Sequence, residues 1–281
     1  MKTFKQINST EANSLIVIDS LNLAFRYKHK GAVSFCTDYM RTVDSLKKSY
    51  KATKVVICGD MGSSSYRKAL SPIYKQNRKD KFANQTQEEK EAFEIFFTEV
   101  QEILVKYEVE DTYPVLRFPG VEADDIAAYI VQKWKKQYNI WLMSSDRDWS
   151  LLVNNNVSQF SYVTRKEFTK ENWDTHYPHS IEEYISIKVL QGDSGDNVLG
   201  VSGIGPKKAL ALVQQYGSAY DIADAIPITS KYKYIQALNE FGAENIRLNY
   251  KLMDLVTHCE EAIGEENCKV IDQKMTKYLS I

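Results

Sequence analysis

The sequence predicts an α/β fold: a central, mostly parallel sheet flanked by helices, followed by a helical region. Three observations lead there. Short β-branched apolar runs end in aspartates, amphipathic helical stretches lie between those runs, and strand signals stop past about Glu171.

The first run, Leu15-Ile16-Val17-Ile18, ends at Asp19. A continuous apolar run of this length reads as a strand buried on both faces, as parallel sheets require. Phe35, Tyr39, Val43 and Leu46 then recur at helical spacing, and Lys54-Val55-Val56-Ile57-Cys58-Gly59 repeats the first pattern before Asp60. The result is a strand–helix–strand unit of doubly wound type. Phe93, Phe96, Phe97, Val100, Ile103, Leu104 and Tyr107 form a long helical stripe, and Ile126, Ala127, Ile130, Val131 and Trp134 form another, entered through Pro119-Gly120. Ile140-Trp141-Leu142-Met143 is a third strand, followed at once by Asp146 and Asp148. Beyond Glu171 short helices and turns are expected. The chain is thus divided into an α/β domain over 14–170 and a helical region over 171–281.

Composition narrows the function classes. The 281 residues suit one large domain with a small appended module. No apolar run reaches the roughly 18 residues of a membrane span, and the polar start lacks a signal-peptide centre, so an intracellular, cytoplasmic location is expected. Four cysteines without a C-x-x-C pair point away from zinc sites and disulfide frameworks. Lys plus Arg total 36 against 37 Asp plus Glu, so the bulk charge names no partner and its distribution must.

That distribution is uneven. Asp19, Asp60, Glu122, Asp124, Asp125, Asp146, Asp148, Asp193 and Asp196 fall at strand ends, at a helix start or in short turns. Open α/β sheets bind ligands outside the carboxyl ends of their strands, so three strands ending in Asp address one crevice. Hard divalent cations prefer carboxylate oxygens, and two of them about 3.5–4 Å apart can clamp both reacting oxygens of a phosphodiester. Singly, each acid has a plainer reading as a helix cap or first-turn dipole partner. Glu122 and Asp125 share a helix face that Asp124 does not, so all three meet only if the helix end itself faces the crevice. The conjunction carries the case, because so many acids on one sheet edge repel one another without cations.

Two further features fit a nucleic-acid ligand. In Gly200-Val201-Ser202-Gly203-Ile204-Gly205-Pro206-Lys207-Lys208-Ala209, Gly203 and Gly205 permit close backbone approach and Pro206 can open a helix. The turn can therefore present N–H groups to a phosphate with Lys207 and Lys208 alongside, the hairpin of a helix-hairpin-helix. The stretch from Tyr66 to Phe82 holds Arg67, Lys68, Lys75, Arg78, Lys79 and Lys81 among Tyr66, Tyr74 and Phe82, without an apolar period. Such cations neutralise backbone phosphates, and such rings stack on bases of any sequence.

With these residues in place, the chain resembles the 5′ nuclease family that includes phage flap endonucleases and the nuclease domains of bacterial DNA polymerase I. The resemblance runs from about Leu15 to Gly217 through V-I-D-S-x-N at Asp19, G-D at Asp60, Y-K-x-N-R at 74–78, G-V-E-A-D-D at 120–125, S-D-x-D at Asp146 and Asp148, G-D-x-x-D-N at Asp193 and Asp196, and the hairpin. It implies a PIN-like sheet, a basic helical arch at about 66–110 through which a 5′ strand passes, and a helix-three-turn-helix at about 186–217 that grips duplex DNA. It also implies two Mg²⁺ ions, replaceable by Mn²⁺. Asp19, Asp60, Glu122, Asp124 and Asp125 would lie mainly around one, and Asp146, Asp148, Asp193 and Asp196 around the other. A K⁺ ion at the hairpin carbonyls, scissile-phosphate contacts from Lys75 and Arg78, and a DNA contact from Arg26 are implied as well. The expected reaction is structure-specific hydrolysis of branched DNA in replication, by a monomer, as flap endonuclease and 5′-3′ exonuclease, leaving 5′-phosphate and 3′-hydroxyl ends. Partnership with a polymerase or single-strand-binding protein would be in trans. A PIN-type ribonuclease shares the acidic crevice but lacks the second acid group and the hairpin, and a catalytically silent DNA-binding relative would have lost acids that this chain keeps.

Overall fold

The computed structural model describes residues 13–28 and 33–280. The chain runs through β1 (Ser14–Asp19), α1 (Ser20–Ala24), α2 (Cys36–Ser49), β2 (Lys54–Cys58), α3 (Ser65–Leu70), α4 (Gln76–Ala83), α5 (Gln87–Glu110), β3 (Val115–Leu116), α6 (Ala123–Trp134), β4 (Asn139–Met143), β5 (Val157–Ser161) and β6 (Lys166–Phe168). Among the described residues these strands form one sheet in the order β3-β2-β1-β4-β5-β6, parallel throughout except for the antiparallel β5–β6 pair. The order reverses between β1 and β4. Side chains alternate along each strand, so Leu15, Val17, Val56 and Cys58 face α6, while Ile16, Ile18, Val55 and Ile57 face α2 and α5. Both faces are covered, which is why these strands read as uninterrupted apolar runs.

The helical region continues as α7 (Ile181–Gln191), α8 (Pro206–Tyr216), α9 (Ala219–Ala225), α10 (Lys233–Met253), α11 (Leu255–Ile263) and α12 (Glu265–Leu279). α7 to α10 share a separate core that includes Val189, Leu212, Ile222, Leu238 and Ile246. α11 and α12 cross back and bury Leu255, Cys259, Ile271 and Met275 against the α6 side of the sheet. The chain beyond residue 170 therefore contributes to two cores.

The sequence pattern gave no helix over 66–82, yet α3 and α4 form there. α4 buries none of its side chains and so carries no apolar stripe to detect, while Ser64 caps α3 by accepting the Arg67 N–H. β3, β5 and β6 also escaped the pattern. β3 has only two residues, and β5 inserts the buried polar residues Gln159 and Ser161 into its run. Helices were expected to be short past Glu171, but α10 spans 21 residues with a break at Gly242, whose φ of 79° leaves the helical region.

Candidate active site

The carboxyl ends of the central strands deliver their acids to one place. Asp19 closes β1, where its Oδ1 accepts the Asn22 N–H at 3.1 Å and its Oδ2 accepts the Ser144 hydroxyl at 2.6 Å. Asp60 lies two residues past β2 and accepts the Ala123 N–H at 2.9 Å, which ties it to the start of α6. Asp124, in the first turn of α6, accepts the Trp149 indole N–H at 2.6 Å. Asp146 follows β4 and accepts the Asp148 N–H at 2.9 Å. Glu122, Asp148, Asp193 and Asp196 join them around a cavity of about 1060 Å³.

A tight turn aims the last two. Gly192, with φ +70, begins it, and a Cβ on Gly200 would stand 1.9 Å from the Gln191 carbonyl oxygen, so the two ends of the 192–200 segment approach backbone to backbone. Asp193 and Val198 bridge it with paired backbone bonds of 2.9 and 2.8 Å. The Asp193 carboxylate accepts the Gly195 N–H at 2.7 Å.

This concentration of negative charge shows in the titration of the acids. Burial, and then the neighbouring Asp60, push Asp19 up to about 7. Burial likewise raises Asp60, Asp124 and Asp146, with Asp146 acting on Asp124 and Asp148 on Asp146. Stability should follow. The Asp19 pKa rises from 3.8 to about 7 on folding, so the native state holds a proton that the unfolded chain loses across that interval, and stability falls as pH rises through it. In chelator, lowering the pH from 8 to 6 should stabilise the fold by about 1.4 kcal/mol through Asp19 alone, or roughly 3–6 °C in Tm. A saturating divalent cation should flatten this dependence. Calorimetric melts at both pH values check it, and a Tm in chelator that does not rise toward pH 6 would contradict the assignment.

Lys75, Arg78 and Lys188 line the acids of the cavity. Lys75 Nζ lies 2.8 Å from Glu122 Oε1 and 3.7 Å from Asp196 Oδ2, and Arg78 pairs with Asp196 Oδ1 at 2.5 Å. Lys188 pairs with Asp148 and lies 3.6 Å from Asp193. Burial alone would lower Lys75, but Glu122 and Asp196 outweigh it and hold its pKa above the ordinary lysine value. Burial would raise Glu122, but Lys75 and Arg67 keep it below the ordinary glutamate value. Lys75 takes a left-handed backbone conformation, φ 55°, and its N–H bonds the Asp196 carbonyl at 2.9 Å.

Among the described residues no three acid, His or Cys side chains converge into a coordination shell, and Glu122, Asp196 and Asp148 are turned toward Lys75, Arg78 and Lys188. The donor set nevertheless fits hard divalent cations. Asp19 is buried, Asp60 and Asp124 are half-buried and Asp146 is exposed at the mouth of the cavity, and as oxygen donors their charges repel one another unless a cation or proton intervenes.

The structure brings eight of the nine predicted acids to the cavity and places Asp125 elsewhere. Both Asp125 oxygens accept from the Arg67 guanidinium at 2.6 and 2.7 Å, in a fully buried pair. A helix rotates side chains by about 100° per residue, so Asp125 turns inward while Asp124 faces the crevice. Tyr74 is also corrected. Its ring is 4 % exposed and closed to stacking, and its hydroxyl lies 3.0 Å from Glu122 Oε2 and 3.1 Å from Asp196 Oδ2, within donating distance of either. Arg26 packs over the Tyr162 ring and lines a second hollow with Arg41, Arg165 and Lys166, outside the acid cavity. At the hairpin, Val201 and Ile204 are buried while Gly203, Gly205 and Lys207 are exposed. Lys208 Nζ donates to the Gly203 carbonyl at 2.8 Å. Sequence reasoning missed Lys188, Ser144 and Arg67 as site supports. Only Lys188 left a signal, a lone charge in the mostly apolar, otherwise charge-free stretch 185–190 of α7.

Residues 14–178 match the N-terminal resolvase-like domain of 5′-3′ exonucleases, and 179–276 match their C-terminal SAM fold. The chain is 40% identical over 268 residues to the flap endonuclease of Escherichia phage T5, covering 94% of this chain and 90% of that protein. It is 28% identical over 236 residues to the 5′-3′ exonuclease of Aquifex aeolicus, covering 83% and 75%. A crystal structure of the phage T5 flap endonuclease, as a pseudo-enzyme-product complex with DNA and metal ions, aligns over 96% of this chain and all of that one, with a TM-score of 0.90 and 37% identity. With its acids gathered at the strand ends of a resolvase-like sheet, this chain belongs to the 5′-3′ exonuclease family.

Proposed function

We propose that this chain is a divalent-metal-dependent flap endonuclease and 5′-3′ exonuclease that hydrolyses branched DNA in replication, leaving 5′-phosphate and 3′-hydroxyl ends. The observation that carries the reading is the cavity itself. Eight carboxylates meet there, and Lys75 and Arg78 stand on the same wall. Two Mg²⁺ ions, or Mn²⁺ in their place, would be held by Asp19, Asp60, Glu122 and Asp124 on one side and by Asp146, Asp148, Asp193 and Asp196 on the other. They would supply charge neutralisation at the scissile phosphate and an activated water.

The chain's own residues do the rest. Lys75 and Arg78 bring positive charge to the phosphate, and Tyr74 braces Glu122 and Asp196 from beneath. Segment 66–110, which contains α3, α4 and α5, borders the cavity through Lys75, Arg78, Lys79 and Phe97, so a single strand passing it meets cations and an aromatic ring. The exposed hairpin at 200–208, with Gly203, Gly205, Lys207 and Lys208, meets duplex phosphates away from the reacting one, with a K⁺ ion on its carbonyls. Arg26 would touch DNA beside the crevice. Action as a cytoplasmic monomer, with a polymerase or single-strand-binding protein in trans, completes the proposal. No helix among the described residues is long and apolar enough to cross a membrane.

An end-labelled 5′-flap duplex tests the reading directly. In Mg²⁺ a product that maps to the base of the flap is expected, and none in chelator. Cleavage of single-stranded RNA in preference to the flap would instead favour the PIN-type ribonuclease.

A further inference from the structure

The end of α10 bonds segments that carry the two sides of the acid cavity while its other end sits at the hairpin. Asn249 is 4 % exposed and spends both Nδ2 hydrogens on backbone, donating to the Val189 carbonyl at 2.9 Å and the Leu199 carbonyl at 2.8 Å. Those two carbonyls lie before and near the end of the segment 192–200 that carries Asp193 and Asp196. Three residues later in the same turn, the Leu252 carbonyl accepts the Arg67 Nε–H at 2.8 Å. Arg67 in turn grips Asp125 of α6 and lies 3.6 Å from Glu122 Oε2. Near its start, α10 carries Tyr234, whose ring lies 4.7 Å from the Lys208 ammonium of the hairpin.

We infer that the last turn of α10 is a strut, in which Asn249 and Arg67 act as positioning residues that back the direct contacts of Asp196 with Lys75, Arg78 and Tyr74 and so fix the Asp193–Asp196 segment relative to the Glu122–Lys75 wall. Neither side chain touches substrate. The carbonyls of Val189 and Leu199 belong to different ends of one turn, and a single amide that bridges them fixes the mouth of that turn. Leu252 fixes α3 and α6 from the same helical turn, so a shift of α10 would move both walls. A site for two cations needs its donors placed to within about half an ångström, so the separation of the walls sets cation affinity.

The inference rests on the proposed reading of the cavity as a cation site, and the experiment separates the two. Ca²⁺ binding is titrated calorimetrically without DNA, on the wild-type chain, Asn249→Leu and Ile271→Ala. Leu keeps the branching and the number of side-chain heavy atoms of Asn249, although its methyl groups are bulkier, and deletes both hydrogen bonds. Ile271, buried on α12 and not among the residues that line the cavity, reports the cost of general destabilisation. Asn249→Leu is expected to weaken Ca²⁺ binding by about 10-fold and to raise the Mg²⁺ midpoint of single-turnover cleavage by a similar factor, within the range found for groups that orient ligands. Its flap affinity in chelator should stay within about twofold, since the hairpin is untouched. Wild-type Ca²⁺ affinity in Asn249→Leu, or an equal loss in Ile271→Ala at matched Tm, overturns the strut. No Ca²⁺ binding by the wild-type chain overturns the cavity reading and the strut with it.

A measurement on the unaltered protein guards against a variant that fails to fold. Coupling is reciprocal, so Ca²⁺ should slow hydrogen exchange at the backbone amides of 250–253, which lie outside the cavity. Unchanged exchange there, with binding intact, also overturns the strut.

Discussion

Asp146→Asn and Asp193→Asn should each lower the single-turnover rate on a 5′-flap duplex by on the order of 10³-fold, while flap affinity measured in Ca²⁺ changes little. A metal-stabilised transition state draws several kcal/mol from its ions, and each 1.36 kcal/mol is tenfold in rate. The amide keeps the local fold. Asp146 Oδ1 accepts the Asp148 N–H and Asp193 Oδ1 accepts the Gly195 and Asp196 N–H groups, so an Asn oxygen can serve in both places. What is lost is one negative charge at the cavity wall. Lys207→Ala combined with Lys208→Ala should behave oppositely, since both lysines are exposed at the hairpin. Affinity should fall, and the slope of log affinity against log salt should become shallower by roughly 2, about 0.9 for each phosphate contact. The rate at saturating enzyme should hold. A salt series in Ca²⁺ beside single-turnover kinetics in Mg²⁺ separates the two classes, and an unchanged slope would remove the hairpin from the duplex interface.

Sequence could reveal the crevice because its acids follow strands buried on both faces. Leu15 to Ile18 and Val55 to Cys58 are solid apolar runs, so the Asp at each end stands out against its own strand. Less was legible where partners are distant in sequence. Asp125 looked like a crevice acid because the first turn of α6 offers three carboxylates, and only the fold shows that Arg67, 58 residues earlier, claims one of them. Tyr74 sits among cations in a segment that reads as a binding face, yet it is turned inward by Glu122 and Asp196, which come from two other elements. Lys188 is the converse. Its helix reads as core, and its charge is tolerated there because Asp148 and Asp193 arrive from the turn that follows β4 and from the 192–200 turn to meet it. Each miss is a tertiary pairing of polar or charged groups, which periodicity does not encode. β5 was lost for a related reason. Gln159 is buried inside it, where its amide donates to the Ser144 and Asp146 carbonyls and so supports the turn that presents Asp146.

Lys75→Ala should cut the single-turnover rate by about 10²–10³ while the dissociation constant for flap DNA moves little. The structure makes Lys75 unlike the other cations of its segment. Its side chain is 14% exposed and held between Glu122 and Asp196, and its positive-φ backbone is fixed by the Asp196 carbonyl. Those two acids keep the ammonium charged despite its burial. A cation so placed costs little reorganisation when charge develops on a phosphate oxygen, and a preorganised group of this kind is worth about that factor in rate. Removal should leave the fold intact. Glu122 would still accept the Ser64 N–H at 3.0 Å and lie within reach of the Tyr74 hydroxyl. Lys79 is the comparison, one turn along α4 at the edge of the same cavity but exposed. An exposed cation is hydrated, mobile and screened by salt, so Lys79→Ala should shift affinity modestly and leave the rate at saturating enzyme nearly unchanged. Both variants are measured on a 5′-flap duplex at saturating enzyme, so that the rate reports chemistry or strand placement and not encounter. Equal, small effects from the two substitutions would reduce Lys75 to one more charge on a basic face, and its place between the two acids would then serve only to hold the cavity together.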